Sequence, residues 1–455
     1  MPPGSIGTIG LITQPGEFEK KYFISNPDIT FFKSVYRKHT NFSKYLKRER
    51  RYGVEEGLQR ISIQTGSDDL LSKVYLENKF TFTRTSTSND SSADTAVTIF
   101  ANLGSNMIND NGDDSLAIDI GGNKGIFKSN GLFQEIKGEL DNQMSLTVAP
   151  GSDYCTQSPC LELYDNNIIS CKNGSHYNYT TLSGGVRGMV LTNDNFVNAS
   201  SVIETEYFYT IPEFSFMKDY GLSIPLLSLR NEHITFNVKY QGFNSVFSSA
   251  SNITSALESN FIQELIHLDT AEKSRFLTSQ LTYLTENISQ KQITSAGQNI
   301  TTTFKLCKYL FLVGAPSIAS STVRMSRTTP KAVNLTELNI KLGANPLYPG
   351  TARVPAEIFT KMNINKYFIG CGRDLGDANS ATSSLGQLDS IAMIPFSIEP
   401  TNYTQPSGCV STLGNSNNII LDLMTNGGDK PNLTLFAINY GILQISDGKA
   451  QLQYS

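Results

Sequence analysis

Tryptophan is absent from this chain of 455 residues, and histidine occurs only four times. His39, His176, His233 and His267 are scattered, and none stands at a Ser/His/Asp spacing that would suggest nucleophilic catalysis. Charge is sparse as well: Asp, Glu, Lys and Arg make up 17% of residues, against roughly 25% in an average soluble domain. The net charge of −4 argues against a general polyanion binder, and no sequence-specific nucleic-acid partner is expected. No apolar run reaches the roughly 18 residues of a membrane-spanning helix. The best stretch, FKLCKYLFLVGAP, is interrupted by Lys305 and Lys308. The opening MPPGSIGTIGLITQPGEFEKK lacks a basic n-region and an adequate apolar core, so a secretory leader is not expected and the six cysteines default to thiols. The glycines of IGCGRDLGD (Gly370, Gly372, Gly376) have the wrong spacing for a dinucleotide loop, and the DANSATSSLG that follows cannot supply the required helix. The chain is expected to be neither an enzyme nor the carrier of a cofactor.

What is present is alternation. In HITFNVKY, Ile234, Phe236, Val238 and Tyr240 share one face while His233, Thr235, Asn237 and Lys239 take the other. VYLENKFTF places Val74, Leu76, Phe80 and Phe82 on one side, ELNIKLG alternates through Leu338, Ile340 and Leu342, and IILDL through Ile419, Leu421 and Leu423. A period of two with one apolar face is the signature of half-buried strands in antiparallel sheets. Gly, Asn, Ser and Asp turns separate these runs and long amphipathic helices are nearly missing, which predicts an all-β fold of sandwiches. Two short helices are expected: one from Asn26 with Pro27 at its first position and Ile29, Phe32, Val35 and Tyr36 at helical spacing, the other in VPAEIFTKM behind Pro355. At this length two domains of about 200 residues are expected, and the charged segment Ala271 to Arg275 separates two series of strands.

Between about Arg84 and Ser201 the texture turns polar and turn-rich, which reads as long loops with short strands inserted into the first domain. This stretch holds Cys155, Cys160, Cys171 and His176, a weak set of zinc ligands. Both close pairs have four residues between them, unlike the familiar zinc knuckles, and unpaired thiols in a loop are the alternative. It also holds the Asn-x-Ser/Thr sequons at Asn89, Asn173, Asn178 and Asn198, acceptors for glycans if the protein meets the modifying machinery. Nearer the start, Arg37, Lys38, Lys44, Lys47, Arg48, Arg50 and Arg51 follow closely on Phe31, Phe32, Tyr36 and Phe42. The basic run reads either as a helix exit leading to an exposed strand, or as a nuclear signal or acidic-partner patch. The interleaved aromatics suit core anchors better than stacking platforms.

NPDITFFKSVYRKHTNFS resembles the N-terminal signature of the major capsid proteins of nucleocytoplasmic large DNA viruses, the chlorella virus, iridovirus and giant virus type. Further stretches fall in the same order: FYTIPEFSFMKDYGLSIPLLSLRNEHITFNV, LIHLDTAEKSRF, IPFSIEPTNYTQPSGCVSTLGNSNNIILDL and LFAINYGILQISDGKAQLQYS. The resemblance implies two tandem eight-stranded antiparallel jelly rolls. It places an N-terminal arm at 1–25, a first roll at 26–270 with inserted loops at about 84–201, a hinge at 271–277 and a second roll at 278–455. It further implies a structural protein of the virion that forms pseudo-hexagonal homotrimers, tiled with neighbouring capsomers and minor capsid proteins over an internal viral membrane and assembled in the host cytoplasm. Phe31, Phe32, Tyr36 and Phe42 would anchor the segment beneath the roll, and Arg37, Lys38, Lys47, Arg48, Arg50 and Arg51 would form a basic patch on the inner face. The stretch from Arg84 to Ser201 departs from the family pattern. With the missing tryptophan, it leaves a minor or paralogous capsid protein, or a surface protein whose loops bind a host receptor or glycan, as the alternative.

Overall fold

The computed structural model describes residues 32–34, 36, 38–51, 54–66, 68–84, 97–99, 103–141, 169–172, 176–179, 189–191, 202–204, 207–243, 247–248, 253–293, 298–299, 306–314, 335–342, 345–346, 354–355, 358–368, 391–411, 419–425 and 433–454. Residues 1–41 and residues 42–455 are separate compact units. The helix expected from Asn26 falls mostly outside the described residues.

Strands are numbered along the chain. One sheet runs β1 (Phe42–Arg51), β14 (Ile253–Leu268), β3 (Leu70–Arg84) and β10 (Val202–Glu204), with β11 (Phe208–Thr210) also on β3. A second runs β2 (Gly57–Ile63), β12 (Ile234–Tyr240), β5 (Leu116–Ile120) and β6 (Asn123–Ser129). A third runs β15 (Leu281–Ile293), β24 (Leu433–Ser446), β17 (Leu306–Gly314) and β21 (Ile391–Pro395), with β22 (Val410–Ser411) on β17 and β25 (Lys449–Tyr454) on β24. A fourth runs β16 (Gln298–Asn299), β23 (Ile419–Thr425), β18 (Leu335–Leu342) and β19 (Asn345–Pro346), with β20 (Val354–Pro355) on β18. Two small sheets join β13 (Phe247–Ser248), β4 (Val97–Ile99) and β9 (Met189–Leu191), and β7 (Ile169–Lys172) with β8 (His176–Tyr179). Every described pairing is antiparallel.

The order of the main strands repeats. If β1, β2, β3, β5, β6, β10, β12 and β14 are counted one to eight, the first two sheets run 1-8-3-6 and 2-7-4-5. Counting β15, β16, β17, β18, β19, β21, β23 and β24 the same way gives 1-8-3-6 and 2-7-4-5 again. Each half is therefore an eight-stranded jelly roll with a few short strands added at its edges.

The alternation read from the sequence decides which faces are dry. On β12, Ile234, Phe236, Val238 and Tyr240 are buried. Its polar face is also partly covered, because Asn237 donates to Asp119 Oδ2 at 2.7 Å on the neighbouring β5. On β3, Val74, Leu76, Phe80 and Phe82 are fully buried, and so is Asn78, which shares their face and donates to Thr210 Oγ1 at 3.0 Å. The hairpin from β5 to β6 turns on Gly121 and Gly122; Gly121 has φ +60°, and a Cβ there would sit 1.9 Å from Glu232 Oε2. β5 and β6 lie inside the stretch read as inserted loops, yet Leu116, Ile118, Ile120, Ile126 and Phe127 belong to the first core. That stretch is thus interrupted by framework, which its short apolar runs between polar turns had concealed.

The two rolls share cores. The second has its own interior, including Leu310, Leu312, Leu338, Ile340, Phe359 and Leu435. The first includes Leu443, Ile445 and Ala450 from the β24–β25 hairpin, packed with Ile61, Ile118 and Phe127 of its own strands. A third cluster forms where the helix Gly131–Asp141 of the first roll meets the outer face of the second roll's β15–β24–β17–β21 sheet: Leu132, Phe133 and Ile136 pack with Ile288, Phe311 and Phe436. The helix expected in VPAEIFTKM exists as a π-helical turn, Ile358–Met362, continuing into Asn363–Tyr367. The junction expected at Ala271 to Arg275 lies in the helix Thr270–Thr278.

Candidate functional site

The seam between the rolls is built around Asn130. Its side-chain oxygen accepts from Phe133 N at 2.8 Å, capping the helix Gly131–Asp141. Its amide nitrogen donates to Gly112 O at 2.8 Å and to Gln290 Oε1 on β15 at 3.0 Å. One side chain thus starts the helix and ties it to the opposite roll. Further along, Phe133 meets Phe436 with ring centroids 5.6 Å apart, and Lys137 donates to Tyr403 Oη at 2.9 Å.

Beneath Tyr403 lies a buried ion pair. Lys308, 0% exposed on β17, pairs with Glu286 of β15 and donates to the backbone oxygen of Asn402 at 2.7 Å. The rings of Tyr403 and Tyr440 lie 5.2 and 5.3 Å from its ammonium. Burial pushes the Glu286 carboxyl up from its ordinary range and the Lys308 ammonium down, and their mutual attraction opposes both shifts. Around Asn402 the loop is closed by its own bonds: Asn402 Oδ1 accepts from Thr404 N and Gln405 N, both at 3.1 Å, and Ser407 Oγ donates to Glu399 O at 3.0 Å. These bonds fold the loop back on itself over the ion pair. The sequence marked Lys308 only as a break in an apolar run; a lysine inside a buried strand was the signal, and its partner 22 residues away could not be read.

At the junction, Asp69 is 4% exposed and gathers three donors. It accepts from Leu268 N at 2.8 Å, His267 Nδ1 at 3.2 Å and Lys273 Nζ at 3.0 Å. Asp269 caps the helix that follows, accepting from Thr270 N at 2.7 Å. The junction is therefore a fastened helix.

The basic run after Phe42 becomes β1, an edge strand, and its residues alternate between faces. Lys47 and Arg51 lie on the core side, where Lys47 meets Glu49 at 3.2 Å and Arg51 reaches Gln59 at 3.4 Å. Lys44, Arg48 and Arg50 lie on the outer face. There Lys44 donates to Tyr220 Oη at 3.0 Å, Arg48 pairs with Glu77, and Arg50 with Glu258 at 2.9 Å. Cross-strand carboxylates thus offset much of the charge. Lys38 is exposed and Arg37 is outside the described residues. Of the aromatic anchors, Phe32, Tyr36 and Phe42 are exposed in the single chain, and Phe31 is outside the described residues. Cys155 and Cys160 are also outside them; Cys171 on β7 pairs with Tyr177, one register step from the Lys172–His176 pair. Among the described residues no cluster of three or more His, Cys, Asp or Glu could hold a metal ion. Asn178 lies on β8, and Asn89, Asn173 and Asn198 are outside the described residues.

Comparisons with known proteins agree on one family. The family profile described as "Major capsid protein N-terminus" matches residues 30–274. The major capsid protein of Pyramimonas orientalis virus is 25% identical over 456 residues, covering 95% of this chain and 96% of that protein. That of Paramecium bursaria Chlorella virus 1 is 25% identical over 295 residues, 62% of this chain and 55% of that protein. Among solved structures, PBCV-1 VP54 superposes with a TM-score of 0.58 at 18% identity, covering 94% of this chain and all of that one. The Faustovirus major capsid protein follows with 0.52 at 12% identity, covering 95% of each chain. These likenesses show a shared double jelly-roll fold.

Proposed function

The chain belongs to the major capsid protein family of large DNA viruses, and from that premise we propose that it builds its shell as a homotrimeric capsomer of pseudo-hexagonal outline. Membership makes it a structural, non-enzymatic component of the virion that assembles with other capsid subunits. The observation that supports the trimer is the repeated strand order: one compact unit contains two rolls of the same order, so three copies offer six like-folded blocks. A subunit so built suits close-packed tiling, because its main strands are paired within sandwiches and the seam between rolls holds a shared apolar cluster.

In this reading the first roll spans 26–270 and the second 278–455, with the helix around 271–277 between them. The capsomers tile over an internal membrane with minor capsid proteins, and assembly takes place in the host cytoplasm. The bases before β1, Arg37 and Lys38, meet acidic partners or lipid headgroups on the inner side, and Phe31, Phe32, Tyr36 and Phe42 anchor that segment. Lys47, Arg48, Arg50 and Arg51 do not form one patch, because they divide between the two faces of β1 and Lys47, Arg48 and Arg50 pair with Glu49, Glu77 and Glu258. The polar stretch around 142–201 faces outward, toward the host surface. Subunit interfaces of such an assembly bury on the order of 2,000 Å² or more. Sedimentation velocity of the purified chain tests the proposal. A trimer at micromolar concentration is the expected result, and a stable monomer overturns it.

A further inference from the structure

Lys308, Glu286 and the loop that covers them bring together a buried amine, a buried carboxyl and a side-chain amide. Lys308 is 0% exposed at an irregularity in the β17 ladder, pairs with Glu286 and donates to the backbone oxygen of Asn402 at 2.7 Å. The side-chain amide of Asn402 springs from the same Cα as that backbone carbonyl, so its Cγ lies within the swing of the flexible lysine stem. The amide is held as an acyl donor needs to be. Asn402 Oδ1 accepts from Thr404 N, Thr404 Oγ1 and Gln405 N, each at 3.1 Å. Three donors on one oxygen draw electrons from Cγ and stand where negative charge develops when a nucleophile adds to it. Asn402 Nδ2, on the other side of the amide, donates to Glu399 Oε2 at 3.2 Å.

Lys308 is the matching nucleophile. An ammonium has no lone pair to offer, so attack requires its proton to move to Glu286. In water that transfer runs uphill by about six pKa units. Here burial disfavours both charges, lowering the Lys308 ammonium and raising the Glu286 carboxyl, and so enlarges the neutral amine and acid population. Lys137 and Lys218 also face the carboxyl and favour its ionised form, which keeps that population small and the reaction slow. The Tyr403 and Tyr440 rings, 5.2 and 5.3 Å from Nζ, cover the amine and keep water from competing with it.

We propose that Lys308 and Asn402 become joined by an intramolecular amide bond, made by the folded chain itself with Glu286 as general base. Glu286 takes one proton from the Lys308 ammonium, and the neutral Nζ adds to Asn402 Cγ. As the tetrahedral adduct collapses, the Cγ–Nδ2 bond breaks. The departing nitrogen receives a second Nζ proton, passed through Glu286, and leaves as ammonia. Glu286 ends protonated, so the charges of the lysine and the carboxylate disappear together and no outside reagent is consumed. A freshly folded chain holds the ion pair, and the bond accumulates with age. It ties β17 to a loop 94 residues further along, beside the Tyr403 that receives Lys137 of the seam helix.

The experiment ages the purified full chain at neutral pH and follows it by intact mass spectrometry and tryptic mapping. The intact mass should fall by one ammonia, Lys308 should cease to be a trypsin site, and a branched peptide should join the segments containing Lys308 and Asn402. Glu286→Gln should slow its accumulation about a hundred-fold. Asn402→Ser should abolish it, at a loop position where serine still offers an oxygen to the turn; this variant serves as the control if Glu286→Gln does not fold. Thermal unfolding shows which variants are folded. An aged, folded chain in which Lys308 stays cleavable overturns the proposal, as does ammonia lost without a branched peptide. A branched peptide that forms as fast in folded Glu286→Gln overturns the part given to the carboxyl.

Discussion

At the scale of single residues, the Lys308–Glu286 pair separates what charge does here from what packing does. An ion pair taken out of water is weak evidence for stability, but removing one partner strands the other in a dry site. Lys308→Met should therefore destabilise the protein by about 3–5 kcal/mol, read as a lower denaturation midpoint. Adding Glu286→Leu should restore most of the loss, because an apolar pair fills similar volume without a stranded charge. The pH dependence has a definite sign. Burial holds the Glu286 carboxyl up, so the folded state takes up a proton that the unfolded chain at the same pH does not. The deficit of Lys308→Met should accordingly shrink as pH falls through that raised value toward the ordinary carboxylate range, and grow as pH rises. A deficit that is constant with pH would show that the carboxyl is solvated. The sequence displayed Lys308 as an oddity in an apolar run, and it displayed nothing of Glu286, Asn402 or Tyr403 as its surroundings.

At the scale of elements, two attachments carry the argument. The helix Thr270–Thr278 is held at its start by Asp69, whose three donors come from β14 and from the helix itself. Asp69→Ala removes all three acceptor contacts and should speed tryptic cleavage at Lys273 and Arg275, with Asp69→Asn intermediate; unchanged cleavage would mean the helix is held by its apolar contacts alone. The second attachment is the β24–β25 hairpin. It turns on Asp447 and Gly448, at φ +52° and +78°, and sends Leu443 and Ile445 into the first core. A Cβ at Gly448 would lie 2.6 Å from Asn231 Nδ2, so the turn fits closely against the first roll. Ile445→Ala should cost about 2–5 kcal/mol. By hydrogen exchange the loss should appear in β5, β6 and β12 while β18 and β23 keep their protection. If only peptides around 443–452 exchange faster, the hairpin is peripheral to the first core. Strands such as β12 and β3 were legible from their period of two. The hairpin's destination was not, because its apolar residues look the same whichever core receives them.

At the scale of the whole molecule, the framework and its insertions separate. Residues 103–141 contribute β5, β6 and the seam helix, so they are framework despite their polar surroundings. Long surface insertions add little closure entropy, and the proposed outward stretch can change without disturbing the sandwich. Deleting Gly151–Gly184 should leave the sedimentation of the assembled protein unchanged while altering its surface binding. Loss of assembly in that deletion would make the segment structural. The sheet order also explains why two halves with little visible sequence likeness are one fold twice: the order 1-8-3-6 and 2-7-4-5 depends on which strands pair, and pairing tolerates wide substitution as long as one face stays apolar.

The sequence by itself determined the all-β class, the buried faces of individual strands and, through ordered resemblance, the capsid family. These are legible because the two faces of a strand alternate residue by residue, so local polarity records burial. Only the tertiary structure decided that Gly131–Asp141 covers the opposite roll, that Asn78 and Lys308 lie in dry positions, and that Ile445 completes the first core. Each of these joins residues far apart in the chain, where the partner's identity leaves no local trace. The burial of a polar side chain depends on what folds over it, and that covering element is set by the packing of the whole chain.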